Sequence, residues 1–208
     1  MILLNQNEVK TMASKERVNG LHTALLTVYE NKIVGDFVEC GVYLGGNVII
    51  AKKFFDSVGI TDKSFYAYDT FSGMAAPGEN DPRKAHIHWE GEYACIGTLE
   101  NVIEEFKYHQ VLDEKIIIIQ GDVCTTLQNP KNLPEKISIL RLDTDWYEST
   151  KIELEILYER LAVGGFLIID DYGHWSGCKK AVDEFFGQKF VEENFVKLDY
   201  TGIMFQKY

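Results

Sequence analysis

Five short apolar runs recur along the chain with helical patterns between them: "GDFVECGV" (35–42), "FYAYDTF" (65–71), "KIIIIQGDV" (115–123), "ISILRLDTD" (137–145) and "GGFLIIDD" (164–171). Their hydrophobicity is nearly continuous rather than alternating, as strands covered on both faces require. The segments 46–58, 99–112, 148–162 and 177–187 have helical spacing. Leu99, Val102, Ile103 and Phe106 share one face, as do Ile152, Ile156 and Leu157. Strands alternating with helices predict a doubly wound, mostly parallel α/β sheet. The end, "FVKLDYTGIMFQKY", predicts two antiparallel edge strands joined by a tight turn at Thr201-Gly202. Residues 1–34 read as an N-terminal helical cap or lid, and 35–208 as a Rossmann-like domain. From Ser72 to Gly97 there is no strong periodicity, but Pro77, His86, His88, Trp89, Gly91 and Tyr93 predict a long, ordered loop.

A chain of 208 residues suffices for one domain with a sizeable core. A net charge of −11 argues against nucleic acid as a partner, because duplex binding depends on neutralising phosphates. No apolar stretch approaches a membrane span and no signal peptide is evident, so no membrane insertion is expected. Cys40, Cys95, Cys124 and Cys178 form no C-x-x-C pair and read as reduced thiols of a cytoplasmic protein. A homo-oligomer is left open.

The first run ends in "ECGVYLGG". Gly41, Gly45 and Gly46 permit a sharp turn and a close ligand, and the following helix offers unpaired N–H groups. The spacing is not that of a dinucleotide fingerprint, which argues against a nicotinamide enzyme. Asp69, closing the second run, stands where an acid accepts ribose hydroxyls, and Asp122, closing the third, could reach an adenine. Singly each could be a solvated strand end. Together they describe an adenosyl ligand across strands one to three.

Two later runs end in paired acids. If their strands are neighbours, Asp143, Asp170 and Asp171 converge. Two carboxylates ~4 Å apart repel by roughly 4 kcal/mol at an effective dielectric near 20. Three such groups need a proton or a cation. Oxygen-only donors select a hard ion, Mg²⁺ before Zn²⁺. Asp145-Trp146-Tyr147-Glu148 also spells a helix start, with Asp145 as N-cap and Glu148 reaching back. Asp143-Thr144-Asp145 is a D-x-D triplet, so a metal-dependent glycosyltransferase is a rival reading; a non-catalytic binding module is another. His86, His88 and His174 are candidate bases, and Trp89, Tyr93 and Trp146 could stack on a ligand ring or simply pack.

"GDFVECGVYLGG", "YDTFSGM", "LRLDTDWYEST" and "RLAVGGFLIIDDYG" resemble, in order and spacing, the macrocin O-methyltransferase family, from about Thr11 to Ala181. The resemblance implies a class I methyltransferase fold and transfer of a methyl group from S-adenosylmethionine to a sugar hydroxyl, aided by Mg²⁺ or another divalent cation. It places Glu39, Gly41, Gly45 and Asp69 around the cofactor; Tyr43, Gly46, Ser72 and Asp122 complete the expected set. It gives Asp143, Asp170 and Asp171 to the metal and makes Asp145 the general base. The implied acceptor is a natural-product glycoside, a nucleotide sugar or a surface polysaccharide. Leu44 stands where an arginine is expected, and the loop 73–97 departs from the family's substrate loop.

Overall fold

The computed structural model describes residues 1–90 and 95–208, so Gly91 and Tyr93 of the expected loop lie outside the described residues. Strands β1 (Asp36–Cys40), β2 (Phe65–Asp69), β3 (Ile116–Gln120), β4 (Ile137–Leu142) and β5 (Leu161–Ile169) are parallel. Strand β7 (Ile203–Gln206) runs antiparallel to both β5 and β6 (Val196–Lys197), giving the order β3-β2-β1-β4-β5-β7-β6. All six residues of β4 are buried, as its central place and its near-continuous apolar run require.

Helices cover both faces. On one side α1 (Lys15–Glu30), α2 (Gly46–Ser57) and α4 (Leu99–Tyr108) share a core in which Leu21, Leu25, Ile49, Phe54 and Phe106 meet Phe37 and Phe65. On the other, α6 (Tyr147–Leu157) and α7 (Ser176–Phe186) bury Leu154, Leu157 and Val182 against Leu140 and Leu167. The spacing of Val18, Leu21, Leu25 and Val28 turns one face of α1 to the sheet, and Ser14 caps it by accepting from the Arg17 N–H (3.2 Å). Residues 1–34 thus carry a core helix as well as cavity wall at Thr11, Met12 and Arg17.

Several details differ from expectation. The stretch read as loop contains helix α3 (Arg83–Glu90), started by Pro82, whose carbonyl accepts from the Ala85 N–H (2.8 Å). A short helix α5 (Val123–Thr126) follows β3, and α8 (Gln188–Asn194) follows α7. Strand β5 begins at Leu161, before the Gly164-Gly165 pair. The Thr201-Gly202 turn is wider than a two-residue hairpin: Leu198 N–H donates to Gly202 O (2.8 Å), while Asp199 Oδ1 accepts from the Thr201 and Gly202 N–H groups. No helix among the described residues is long and apolar enough to cross a membrane.

Candidate active site

Sheet order reverses between β1 and β4, and there a cavity of about 280 Å³ opens over the carboxyl ends of the parallel strands. Its wall includes Gly41, Tyr43, Asp69, Asp122, Asp143, Asp145, Asp170 and Asp171, so most of the residues expected from sequence converge. Glu39, Gly45, Gly46 and Ser72 do not line it.

The glycine turn is sharp, with φ positive at Gly41 and +81° at Gly45, and it also serves packing. Gly41 has φ +82°, and a Cβ there would lie 1.9 Å from the Asp143 carbonyl oxygen. Its bareness lets the end of β1 close against the end of β4, which positions Asp143. Gly46 faces the N-terminal segment, with Lys10 O 2.5 Å from where its Cβ would be. Asp69 holds the turn from below. Its Oδ2 accepts from the Val42 and Tyr43 N–H groups (2.7 and 3.0 Å), its Oδ1 from Phe71 N–H (2.8 Å). Asp122 is the N-cap of α5, its Oδ1 accepting from Cys124 N–H (2.8 Å). Both acids line the cavity, and a carboxylate has acceptor capacity beyond these bonds.

Glu39 is fully buried behind the wall. Its Oε1 accepts from Asn47 Nδ2 (2.9 Å) and Arg141 Nη1 (2.7 Å), while Oε2 has no partner. Burial pushes its pKa up to about 7, against the pull of Arg141. Arg141, itself buried, also donates to Asp143 Oδ2 (2.7 Å) and to Asp170 Oδ1. The other oxygen of Asp170 accepts from Arg17 of α1.

Asp143, Asp170 and Asp171 bring ligand-capable oxygens within 4.8 Å of one another, and Asp171 Oδ2 is buried with no hydrogen-bond partner. Burial, then Asp143, raises Asp170 to about 6. Burial, then Asp145, pushes Asp171 well above the usual carboxylate range. Asp145 rises to about 8 through burial and then the charges of Asp143 and Asp170. Glu39, Asp143 and Asp170 thus share two guanidinium groups, Arg17 and Arg141, while Asp145 and Asp171 sit beside them without an ion pair to either arginine. The set lacks positive charge, and its hard oxygens and the orphaned Asp171 oxygen fit a divalent cation.

The helix-start reading of Asp145 is corrected. Trp146 is the N-cap residue of α6 and makes no side-chain cap bond. The cap comes from a distant residue, Asp81, whose Oδ1 accepts from Tyr147 N–H (3.0 Å) and whose Oδ2 accepts from Gly78 N–H (2.9 Å). Asp145 instead adopts φ +67°, which turns its carboxyl into the cavity, where Oδ1 accepts from Trp175 Nε1 (2.9 Å). Trp175 packs edge-on against Trp146 and His174, with His88 and Lys84 over its outer side. Trp146 is buried and donates to Ala75 O (2.7 Å); Trp89 donates to Met74 O (2.9 Å). His88 and His174 line the cavity, with His174 lowered by burial and then by Lys84, whereas His86 bonds Gly78 O (3.2 Å) and does not line it.

Trp175, Arg17, Arg141, Asp81 and Glu153 were not singled out from sequence. Arg141 carried a signal: it is the one charge inside the apolar run Ile137–Leu142. Glu153, completely buried on α6, has both oxygens against Thr144 Oγ1 (3.0 and 3.1 Å) and looks in sequence like any surface helix acid.

A strand order of this kind, with an antiparallel β7 beside β5 and a cleft where the order reverses, defines a class I methyltransferase. Within that class the chain is matched over residues 7–207 by the family model described as macrocin-O-methyltransferase (TylF). The chain belongs to that family and is an S-adenosylmethionine-dependent O-methyltransferase. It is 30% identical over 200 residues to demethyldecarbamoylnovobiocin O-methyltransferase of Streptomyces niveus, covering 95% of this chain and 75% of that one. It is 31% identical to 8-demethyl-8-(2,3-dimethoxy-alpha-L-rhamnosyl)-tetracenomycin-C 4'-O-methyltransferase of Streptomyces olivaceus, covering 94% and 75%. Among solved structures, the O-methyltransferase NovP superposes with a TM-score of 0.85 at 30% identity, covering 95% of this chain and 81% of that one. A calicheamicin methyltransferase shares the fold at a TM-score of 0.71 and 17% identity, over 90% and 77% of the two chains. The glycosyltransferase reading of the D-x-D triplet is set aside by this assignment.

Proposed function

We propose that the protein methylates a hydroxyl group of a sugar-containing acceptor, with a divalent cation such as Mg²⁺ held by Asp143, Asp170 and Asp171. The observation that carries this reading is the convergence of these three carboxylates beside Asp145, with Asp171 Oδ2 buried and unpartnered. The acceptor class is supported by a relative whose name specifies a rhamnosyl-bearing substrate, the rhamnosyl-tetracenomycin-C 4'-O-methyltransferase.

A sugar hydroxyl is a weak nucleophile at neutral pH because it keeps its proton. A divalent cation held by Asp143, Asp170 and Asp171 would supply the charge that lowers the hydroxyl pKa. Asp145 is anchored through Oδ1 by Trp175. Burial and the neighbouring carboxylates hold its pKa at about 8; a cation in the cluster would offset those carboxylates, and the ionised Asp145 would take the proton. Bound S-adenosylmethionine would supply the methyl group, passing it from sulfur to the acceptor oxygen and leaving S-adenosylhomocysteine. Asp69 and Asp122 orient the ribose and adenine sides of the cofactor cleft, and Tyr43 walls it. Gly41, Gly45 and Gly46 shape the turn beneath, while Glu39 acts from behind through Arg141. The rest is alignment of two bound reactants.

The test is a panel of antibiotic glycosides, their sugar-free aglycones, nucleotide sugars and oligosaccharides incubated with S-adenosylmethionine and Mg²⁺, read by mass spectrometry for methyl addition. At least one acceptor is expected to be methylated, with loss of product in excess chelator and recovery on adding Mg²⁺. Full turnover in chelator refutes the metal assignment, and methylation confined to acceptors without sugars refutes the acceptor class.

A further inference from the structure

Both oxygens of Asp170 are already engaged by guanidinium groups, Oδ1 by Arg141 and Oδ2 by Arg17. A cation ligated by Asp170 must therefore displace or share with one of them. Arg141 has nowhere to go: it is buried and also holds Glu39 Oε1 and Asp143 Oδ2, both at 2.7 Å. Arg17 differs on two counts. Its side chain retains 15% exposure at the cavity wall, and a second carboxylate is within reach, with Nε 3.0 Å from Asp199 Oδ2. Asp199 is a fixed mooring, because it accepts from Ser14 Oγ (2.7 Å) and from the Thr201 and Gly202 N–H groups (2.9 and 2.7 Å). A guanidinium that releases Asp170 keeps Asp199 as a charged partner, which limits the penalty of moving it.

Resting on the divalent-ion reading above, we propose that Arg17 is a placeholder: it occupies the ion's share of Asp170 until the ion binds, then releases Asp170 and stays paired with Asp199 alone. Arg17 sits at the first turn of α1, and its Nη2 reaches Met12 O (3.4 Å). Thr11 and Met12 line the same cavity. Withdrawal of Arg17 therefore shifts the wall that an acceptor meets, and ion loading is coupled to the N-terminal segment. Coupling between the two is reciprocal: whatever holds Arg17 on Asp170 weakens ion binding by the same factor.

The two carboxylates around Arg17 give variants that should act in opposite directions. Calorimetric titration of the full-length, cofactor-free protein with MnCl₂ reads ion affinity without turnover. Arg17→Gln removes the competitor and is expected to bind Mn²⁺ tighter by roughly 5–150-fold, the usual range of such couplings. Asp199→Asn keeps a side-chain oxygen for the turn but removes the mooring charge, so it is expected to bind Mn²⁺ more weakly than wild type. Hydrogen exchange of amides 11–17 should quicken on adding Mn²⁺ to wild type and be quick at the outset in Arg17→Gln. Unchanged or weaker binding by Arg17→Gln, or tighter binding by Asp199→Asn, overturns the placeholder role while leaving the ion assignment standing. A wild-type protein that takes up no Mn²⁺ at millimolar concentration overturns both.

Discussion

Replacing Asp145 with asparagine separates its chemistry from its packing. The side chain meets Trp175 Nε1 through one oxygen (2.9 Å), and asparagine offers an oxygen at the same place, so this buried indole keeps its acceptor. Asparagine also removes a carboxyl that burial and the neighbouring Asp143 and Asp170 disfavour in its charged form. Asp145→Asn is therefore expected to melt no lower than wild type. Alanine instead leaves the Trp175 N–H unpaired, at a cost of about 1–3 kcal/mol. Neither effect involves a helix cap, because Asp81 supplies the bond to Tyr147 N–H. Asparagine cannot take the acceptor's proton. Loss of a general base costs ~10²–10⁴ in rate, which is about 3–5 kcal/mol of barrier at 1.36 kcal/mol per tenfold. The assay is the initial rate of methylated product by mass spectrometry, with cofactor affinity by calorimetry as the control. Turnover within about threefold of wild type, with cofactor bound, would refute the base assignment. Attention would then pass to His88 and His174, which line the cavity.

Three further outcomes are expected. Asp81→Ala removes the acceptor of both Tyr147 N–H and Gly78 N–H; it should cost about 1 kcal/mol in urea unfolding and raise the acceptor KM more than it lowers kcat. Glu153 is held well above its usual pKa of 4.5, chiefly by burial. The folded state therefore keeps a proton that the unfolded state releases, and stability falls as pH rises above about 4.5. Glu153→Gln cannot titrate, so its stability relative to wild type should grow between pH 5 and pH 8; a constant difference would contradict a protonated Glu153. Gly41→Ala drives a Cβ to 1.9 Å from the Asp143 carbonyl at φ +82°. It should destabilise by more than ~2 kcal/mol, and activity should be lost with the displaced Asp143 even at temperatures where circular dichroism shows the variant folded.

What the chain alone determined was the set of elements and the ends of the strands. Continuous apolar runs specify strands buried on both faces, helical spacing specifies the layers that bury them, and acids that close such runs can only emerge at the carboxyl edge. Asp69, Asp122, Asp143, Asp145, Asp170 and Asp171 were legible for that reason, since each closes or directly follows an apolar run. Tertiary structure decided everything that depends on distant partners. Asp81 caps a helix 66 positions away, Trp175 orients Asp145 across 30, and Arg17 reaches Asp170 across 153. Local pattern also mistook Asp145 for a cap and Ser72–Gly97 for loop, because a positive φ and a helix packed over Trp175 depend on contacts rather than propensity. The sequence determines which carboxylates reach the site; only the folded chain decides which cations face them, because a local pattern carries no information on how charges far apart in the chain are paired.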